Sequence, residues 1–518
     1  MPAIIFMAGA YILPMIFLAL YTSSIGGKLS VFNTLNIHIF TFTFYQAMLS
    51  TVMAIAIGLP GAYLLGKTKF KFKGIFTALS TVPFVMPSIS MTLGFITFFG
   101  HSGILNSYFL WPIFHVRFEP LFTLLGVVMG NAFYNFPLTM IIVGAAFSML
   151  DPVYSEAARI DGASRFKSFV FVELPILLPS IAAAALLTFI YCFMSFTVVL
   201  VIGGAQFSTV EVQIYMYLTT LLDFRGALGL TMIQLLFIAF FASLFTFIRR
   251  SAGTFSQEIS ESYSKFPVWG TFYILLISIL IFGPILSQVF SGFWNFQNST
   301  FTFEWFRKLF SGEMNAYIGN SVLFAIVWTI IFSTATAILT VVLSITSAHI
   351  IQKLKLPIFD ALFTSSLAIS PVTLAFGYIV LQNYIPLSFP LEIIPIYTVL
   401  SFPIGLQTLL SGWERFPKEI DEAASMDGAN WLQKTLKVRI PILRPQIIST
   451  FFFAFAISMG EMGATLVLYN PEFPTISVSA YKLFSSMHVP EAQALGSILT
   501  ISTFLVFYAL ERPILKDN

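Results

Sequence analysis

The sequence predicts an all-α integral membrane protein made of two parallel repeats of about six transmembrane helices each. Three observations carry that expectation. The first is composition: the chain has 518 residues, 57% hydrophobic and only 9% charged, with a mean hydropathy of +0.88. A soluble globular domain carries about 25% charged residues, so this chain cannot cover a water-facing surface. The second is a series of apolar runs of about 20 residues, the length a helix needs to cross a hydrocarbon core of about 30 Å. The third is a polar segment that occurs twice in a chain otherwise nearly all apolar. A net charge of +3 is too small to imply a nucleic-acid partner. The single cysteine, Cys192, excludes an intrachain disulfide and a thiolate metal cluster, and it reads as a small buried apolar residue.

Twelve runs qualify as spans. In the first half they are Ala3–Tyr21, Phe42–Leu65, Ile75–Phe99, Leu121–Leu150, Leu178–Val201 and Ala227–Ile248. In the second half they are Val268–Phe290, Ile318–Ile350, Phe359–Leu381, Ile393–Leu410, Ile447–Leu468 and Ala494–Leu510. The runs are continuous, whereas barrel strands would be shorter and alternate with polar residues. Ala3–Tyr21 has no basic leader and no small-residue cleavage site after it, so it reads as a first span rather than a signal peptide.

The basic residues set an expected orientation. With both termini in the cytoplasm, 20 of the 26 Lys and Arg residues fall inside. Only Lys28, Arg117, Arg225, Arg307, Lys308 and Lys482 fall outside. That bias is what the positive-inside rule requires of this orientation.

The polar segment runs from Ser155 to Pro179 and returns from Asp421 to Pro445. Glu156 and Glu422 are 266 positions apart, and the same offset relates Asp161 to Asp427, Gly162 to Gly428, Pro175 to Pro441 and Pro179 to Pro445. Upstream, the stretch from Gly61 resembles that from Ser347, each a helix end, a short basic turn and a new helix start. The Ser-rich segment Arg249–Pro267 lacks apolar periodicity and reads as a linker. The expected organisation is a first repeat over 1–250 with its motif loop at 151–179, a cytoplasmic linker at 251–266, and a second repeat over 267–518 with its motif loop at 417–445. Six spans per repeat give both repeats one orientation, related by an axis along the membrane normal.

Gly61 to Thr68 satisfies the P-loop pattern letter for letter. A P-loop must be a glycine-rich turn after a strand, so that its amides can cradle phosphate. Here the four residues between the glycines are apolar and close a transmembrane helix, and Lys67 begins a basic turn that anchors it. The chain is expected to hydrolyse no ATP itself.

The motif has local physical content. Asp151 can cap a short amphipathic helix, with Glu156 in its first turns, where the helix dipole favours negative charge. Ala157 and Ala158 are small enough for another surface to approach closely. Gly162 can adopt positive φ and turn the chain. A second amphipathic segment, Phe166–Phe171, leads to Pro175 and Pro179, which are expected to start the next span. The second copy repeats this from Pro417 through Glu422 to Gly428. One copy alone reads equally well as a helix on lipid headgroups. Two gap-free copies point to docking by a two-fold partner.

The segment resembles the EAA signature of permease subunits of binding-protein-dependent ABC importers. The matching residues are Glu156, Ala157 and Ala158 with Asp161 and Gly162, and Glu422, Ala423 and Ala424 with Asp427 and Gly428. The spans match the topology of that family, so the resemblance covers most of the chain. It is similar to the fused subtype, in which one polypeptide supplies both halves, a form common among thiamine and ferric-iron importers. The resemblance implies a type I importer (MetI-like) fold in a bacterial inner membrane. It implies two copies of a separate ATPase on the cytoplasmic motif helices, and a periplasmic or lipid-anchored binding protein that delivers substrate outside. It implies no cofactor.

The pathway itself is weakly marked. Glu461 lies about 14 residues into its span, about 21 Å deep at 1.5 Å per residue, where carboxylates are costly and usually functional. It reads either as a pore or gate residue, with Thr465 beside it, or as a cap where the helix breaks between Gly460 and Gly463. The 266 offset gives Ser195 as its counterpart. The segments Gly203–Tyr215 and Asn470–Tyr481 are expected outside, around the mouth. The first resembles thiamine permeases and the second iron or oxyanion permeases. Isolated histidines (His38, His101, His115, His488) carry no metal site. The rival reading is a secondary active transporter with Glu461 as its coupling carboxylate, and it leaves the duplicated motif unexplained.

Overall fold

The computed structural model describes residues 2–24, 34–252, 266–295, 298, 300–354, 366, 369–414 and 416–516. Among them, strand is confined to Trp294–Asn295 paired antiparallel with Thr300–Phe301, and helix dominates. Ten helical stretches are long and apolar enough to cross a bilayer, and one bent pair raises the number to eleven. The ninth expected span, Phe359–Leu381, lies partly outside the described residues. Its described part is the helix Pro371–Gln382, begun by Ser370, whose Oγ accepts from the Thr373 amide at 3.2 Å. Residues 253–265 of the expected linker, and Lys28, Lys265, Lys355 and Arg415 of the charge argument, are also outside the described residues.

Three expected spans are not continuous. Ile75–Phe99 is two helices, Lys73–Val85 and Ser88–Phe99, sharply bent at Met86–Pro87. Pro87 has no N–H for the carbonyl four residues back, and its ring crowds that carbonyl. Leu178–Val201 is a helix that ends at Phe193 and resumes after Phe196. Ile447–Leu468 breaks likewise, between the helices Arg444–Gly460 and Gly463–Val467. The two breaks are 266 residues apart.

The chain packs as two compact units that differ from its sequence repeats. One holds Leu29–Phe84 with Met91–Ser287, and the other holds Met1–Lys28, Val85–Ser90 and Gln288–Asn518. The first helix of each repeat thus packs with the body of the other repeat. In the second unit Ala3 and Met7 join a core with Phe402, Leu406 and Trp413, and the Tyr378 hydroxyl donates to the Ala10 carbonyl at 3.1 Å. In the first unit the Tyr273 hydroxyl donates to the Ile57 carbonyl at 2.6 Å, and Trp269 lies 5.9 Å from Tyr63.

The tightest seam of the first unit joins the helices Thr34–Lys67 and Leu124–Ser148. Small residues let membrane helices approach closely where lipid gives them no hydrophobic drive to associate. A Cβ on Gly66 would sit 2.2 Å from the Phe147 Cβ and 2.6 Å from the Gly144 carbonyl oxygen. In the second unit the glycine of the seam is Gly405, where a Cβ would lie 2.9 Å from the Thr340 methyl carbon. Gly66→Ala is therefore expected to destabilise the first unit by about 1–3 kcal/mol through overpacking, seen as a lower melting temperature in detergent. Gly74→Ala, where a Cβ meets nothing within 4 Å, is expected to leave the melt unchanged or raise it.

Candidate functional site

Each motif copy builds the same object. In the first unit the helix Pro152–Ile160 starts at Asp151, whose carboxylate accepts from the Val153 amide at 2.9 Å. It ends with Asp161 and with Gly162 at φ +89°. The alanines supply the closing carbonyls: Asp161 N–H donates to Ala157 O at 3.0 Å, and Ala163 N–H donates to Ala158 O at 2.9 Å. This is a Schellman end, with glycine in the left-handed region that a side chain disfavours. In the second unit the helix Lys418–Met426 ends at Asp427 and Gly428, φ +76°. Asp427 N–H donates to Ala423 O at 3.1 Å and Ala429 N–H to Ala424 O at 3.0 Å.

Glu156, Ala157, Asp161 and Gly162 are exposed, as are Glu422, Ala423, Asp427 and Gly428, while Ala158 and Ala424 are half-buried. Each helix also lifts a large apolar side chain into the open at its last residue. Ile160 is 86% exposed and Met426 89%. The sequence reading missed this pair, although the 266 offset relates the two positions.

The return to the membrane differs from expectation. Pro175 and Pro179 do not start the span; helix begins at Arg165 and passes through a π-turn, Phe169–Glu173, into Leu174–Phe193. The second copy does the same through Thr435–Arg439 ahead of Pro441. An extra residue in the turn relieves the clash and the missing N–H that each proline brings. Ser168 Oγ donates to the Ser155 carbonyl at 3.4 Å, tying the return segment to the motif helix. In the second copy Lys434 donates to the Ser425 hydroxyl.

Glu173 then reaches the end of the helix Thr34–Lys67. Its carboxylate lies 2.6 Å from Lys67 Nζ, and both side chains are largely buried. The letters of the apparent P-loop are thus occupied otherwise. Gly66 packs against Phe147, Lys67 pairs with Glu173, and the Thr68 hydroxyl donates to Leu64 O at 2.7 Å. In the second repeat the position of Glu173 is held by Arg439. Its guanidinium lies 5.4 Å over the Trp413 ring and donates to His349 Nδ1 at 3.3 Å.

The helix breaks are the other marked places. Glu461 sits in the second break, partly buried. Its carboxylate accepts from the Ala464 amide at 3.0 Å, and from the Thr465 amide and hydroxyl at 3.4 and 3.2 Å. Thr465 also hydrogen-bonds the buried Tyr397 hydroxyl. This is capping geometry: the acid satisfies amides freed by the break. Ser195 occupies the same place in the first break, half-buried and without a carboxylate. There a side-chain clasp takes over. Gln46 Nε2 donates to the Cys192 carbonyl at 3.0 Å, and Asn131 Nδ2 donates to Gln46 Oε1 at 3.0 Å. Asn131 and Tyr397 are themselves 266 residues apart.

The segments expected outside, Gly203–Tyr215 and Asn470–Tyr481, each run into a short helix that is tied to a spanning helix. The helices Val210–Thr219 and Ile476–Ser485 begin with amides that donate to Thr43 Oγ1 at 3.0 Å and to Thr329 Oγ1 at 2.9 Å. Thr43 is nine residues into its helix, about 13 Å from that end. Hydropathy does not mark such short helices, because only the pairing across the unit reveals what holds their first amides.

Residues 54–257 match the family described as the binding-protein-dependent transport system inner membrane component. The chain aligns with the thiamine transport system permease protein ThiP of Brucella abortus over 91% of its own length and 86% of that protein, at 23% identity. The match to ThiP of Escherichia coli covers 92% and 88%, also at 23% identity. FbpB 1 of Haemophilus influenzae, whose name assigns it to ferric transport, is 25% identical over 83% of this chain and 69% of its own. Over most of its length the chain is similar to permease subunits of binding-protein-dependent importers. The family match begins within the Thr34–Lys67 helix and spans the first motif helix, its return segment and the first break.

Two outcomes test the geometry. Breaking a buried ion pair from one side costs about 3–5 kcal/mol, so Lys67→Glu and Glu173→Lys are each expected to lower the melting temperature sharply. The double exchange is expected to restore most of the loss, and a double variant no better than the singles would show that the pair is not the interaction that matters. Glu461→Ala is expected to destabilise by about 1–3 kcal/mol per amide left unpaired. If it instead lowers transport with an unchanged melt, Glu461 acts on the solute rather than as a cap.

Proposed function

We propose that this permease forms the translocation pathway of an inner-membrane ABC importer for thiamine or ferric iron, delivered by a periplasmic or lipid-anchored binding protein. One observation carries the reading: two identically closed motif helices, each with an exposed apolar residue at its end, Ile160 and Met426. Such a pair suits docking by two copies of one ATPase. The charge bias of the loops supports a cytoplasmic location for both helices and both termini. The names of the relatives support thiamine or ferric iron as the solute.

On this reading Glu156, Ala157, Ala158, Asp161 and Gly162 couple the first repeat (1–250) to one ATPase. Glu422, Ala423, Ala424, Asp427 and Gly428 couple the second (267–518) to the other, with 251–266 linking the repeats. ATP-driven closure of the ATPase pair would move each motif helix. In the first repeat the motion would pass through the Ser155–Ser168 bond and the Glu173–Lys67 pair to the spanning helices. Hydrolysis would reset the permease. Secondary transport through Glu461 has no observation in its favour, since that carboxylate is engaged in capping.

Met426→Glu places a charge at the expected centre of the docking surface, and Gly428→Pro forbids the positive φ of the turn. Each is expected to lower ATP-dependent uptake in reconstituted vesicles by about tenfold or more, the size of a lost interfacial anchor, with helix content retained. Unchanged uptake of both thiamine and ferric iron in both variants would overturn the reading.

A further inference from the structure

The repeats are unequal in one place. Gly61 and Ser347 correspond at an offset of 286, whereas Glu156 and Glu422 correspond at 266, so the first repeat holds twenty more residues between them. The structure places most of the excess at one end of the Leu124–Ser148 helix. Twenty-four residues separate Phe99 from Leu124, whereas six separate Gln382 from Phe389. This excursion, Gly100–Thr123, stands at the end of that helix opposite the first motif helix, which follows Ser148 directly.

The excursion is built, not slack. Asn106 is buried and closes its base. Its Nδ2 donates to Gly100 O and Phe118 O, both at 2.8 Å, and its Oδ1 accepts from the Phe118 amide at 2.8 Å. Between these anchors a helical turn, Leu105–Leu110, runs into the helix Trp111–Phe114. Residues 102–114 include no charged side chain. Tyr108, Phe109, Trp111, Ile113 and Phe114 are each between 47% and 66% exposed. The charges gather at the base instead. Arg117 lies 4.9 Å over the Trp111 ring and hydrogen-bonds His101, and His101 Nδ1 is 2.5 Å from Glu119. At the start of the Leu124–Ser148 helix, Phe122 and Leu125 are exposed as well.

We propose that this excursion is a lipid anchor. The side chains of Tyr108, Phe109, Trp111 and Phe114 lie among the headgroups and upper acyl chains of the leaflet opposite the motif helix, and Arg117 and Glu119 lie at the water side. Five exposed large apolar side chains within the seven residues Tyr108–Phe114 are costly in water, and Trp and Tyr collect at the membrane–water interface. A surface that met a soluble partner only transiently would face water between encounters, and such surfaces are about as polar as the rest of a protein. An interfacial helix pairs an apolar face with a charged edge, which is the pattern here. The second repeat, with six residues at this place, has no such anchor.

Nitroxide scanning of the full-length permease in vesicles of phosphatidylethanolamine and phosphatidylglycerol tests this. Cys192 is fully buried and can stay. Labels are placed singly at Phe109→Cys, Trp111→Cys and Phe114→Cys. Phe240→Cys, exposed on a spanning helix, is the lipid control, and Glu313→Cys, exposed in a loop, is the water control. The labels at 109, 111 and 114 are expected to collide with oxygen in preference to a water-soluble nickel chelate, as at 240. Accessibility like that at 313 would overturn the proposal. So would labels that become shielded from the chelate only when the binding protein is added, which would make the patch a protein-docking surface. Should one variant fail to assemble, the remaining two positions decide the question.

Discussion

The bilayer interior supplies no water, so each backbone N–H and C=O that a helix break frees must find a protein partner. Most of what distinguishes this permease from a plain bundle follows from that constraint. Where Arg444–Gly460 ends inside the membrane, Glu461 and Thr465 receive the amides of the next helix. Where Leu174–Phe193 ends, Gln46 reaches across to the Cys192 carbonyl. Where the short helices Val210–Thr219 and Ile476–Ser485 start, the hydroxyls of Thr43 and Thr329 accept the first amide. At Pro175 and Pro441 a π-turn performs the same task within the backbone.

The two repeats solve one geometric problem with different chemistry. Their motif helices, Schellman ends, π-turns and helix breaks recur at a constant offset. The side chains that secure them do not: Glu173 is answered by Arg439, Ser195 by Glu461 and Asn131 by Tyr397. The backbone path is held in common, while the supporting contacts are free to diverge because each needs only to satisfy its own repeat.

Much of the fold was legible in the residues. Hydropathy reports burial in lipid along a single helix, so it located most of the spans to within a few positions. The turn at Gly162 and Gly428 was legible because an αL residue after a short helix is a local matter of sterics. The roles of Lys67 and Glu461 were less so. Lys67 reads as one of several interfacial lysines until Glu173, distant in the chain, is brought beside it. Glu461 reads as a cap or as a pore acid, the cap favoured, until the amides of Ala464 and Thr465 are seen to face it.

Taken by itself, the sequence determined the all-α membrane class, the duplication and the shape of the motif helix. Each of these is encoded within a few turns of chain or in a fixed offset. Only the tertiary structure decided which body each first helix joins, what receives the first amides of the short helices and what closes the breaks. Those depend on pairings between residues such as Gln46 and Cys192, 146 positions apart. No local propensity or hydropathy pattern can specify a pairing at that separation. Both motif helices could be drawn from the letters, but the line of contacts from Ser155 through Ser168 and Glu173 to Lys67 exists only once the chain has folded back on itself.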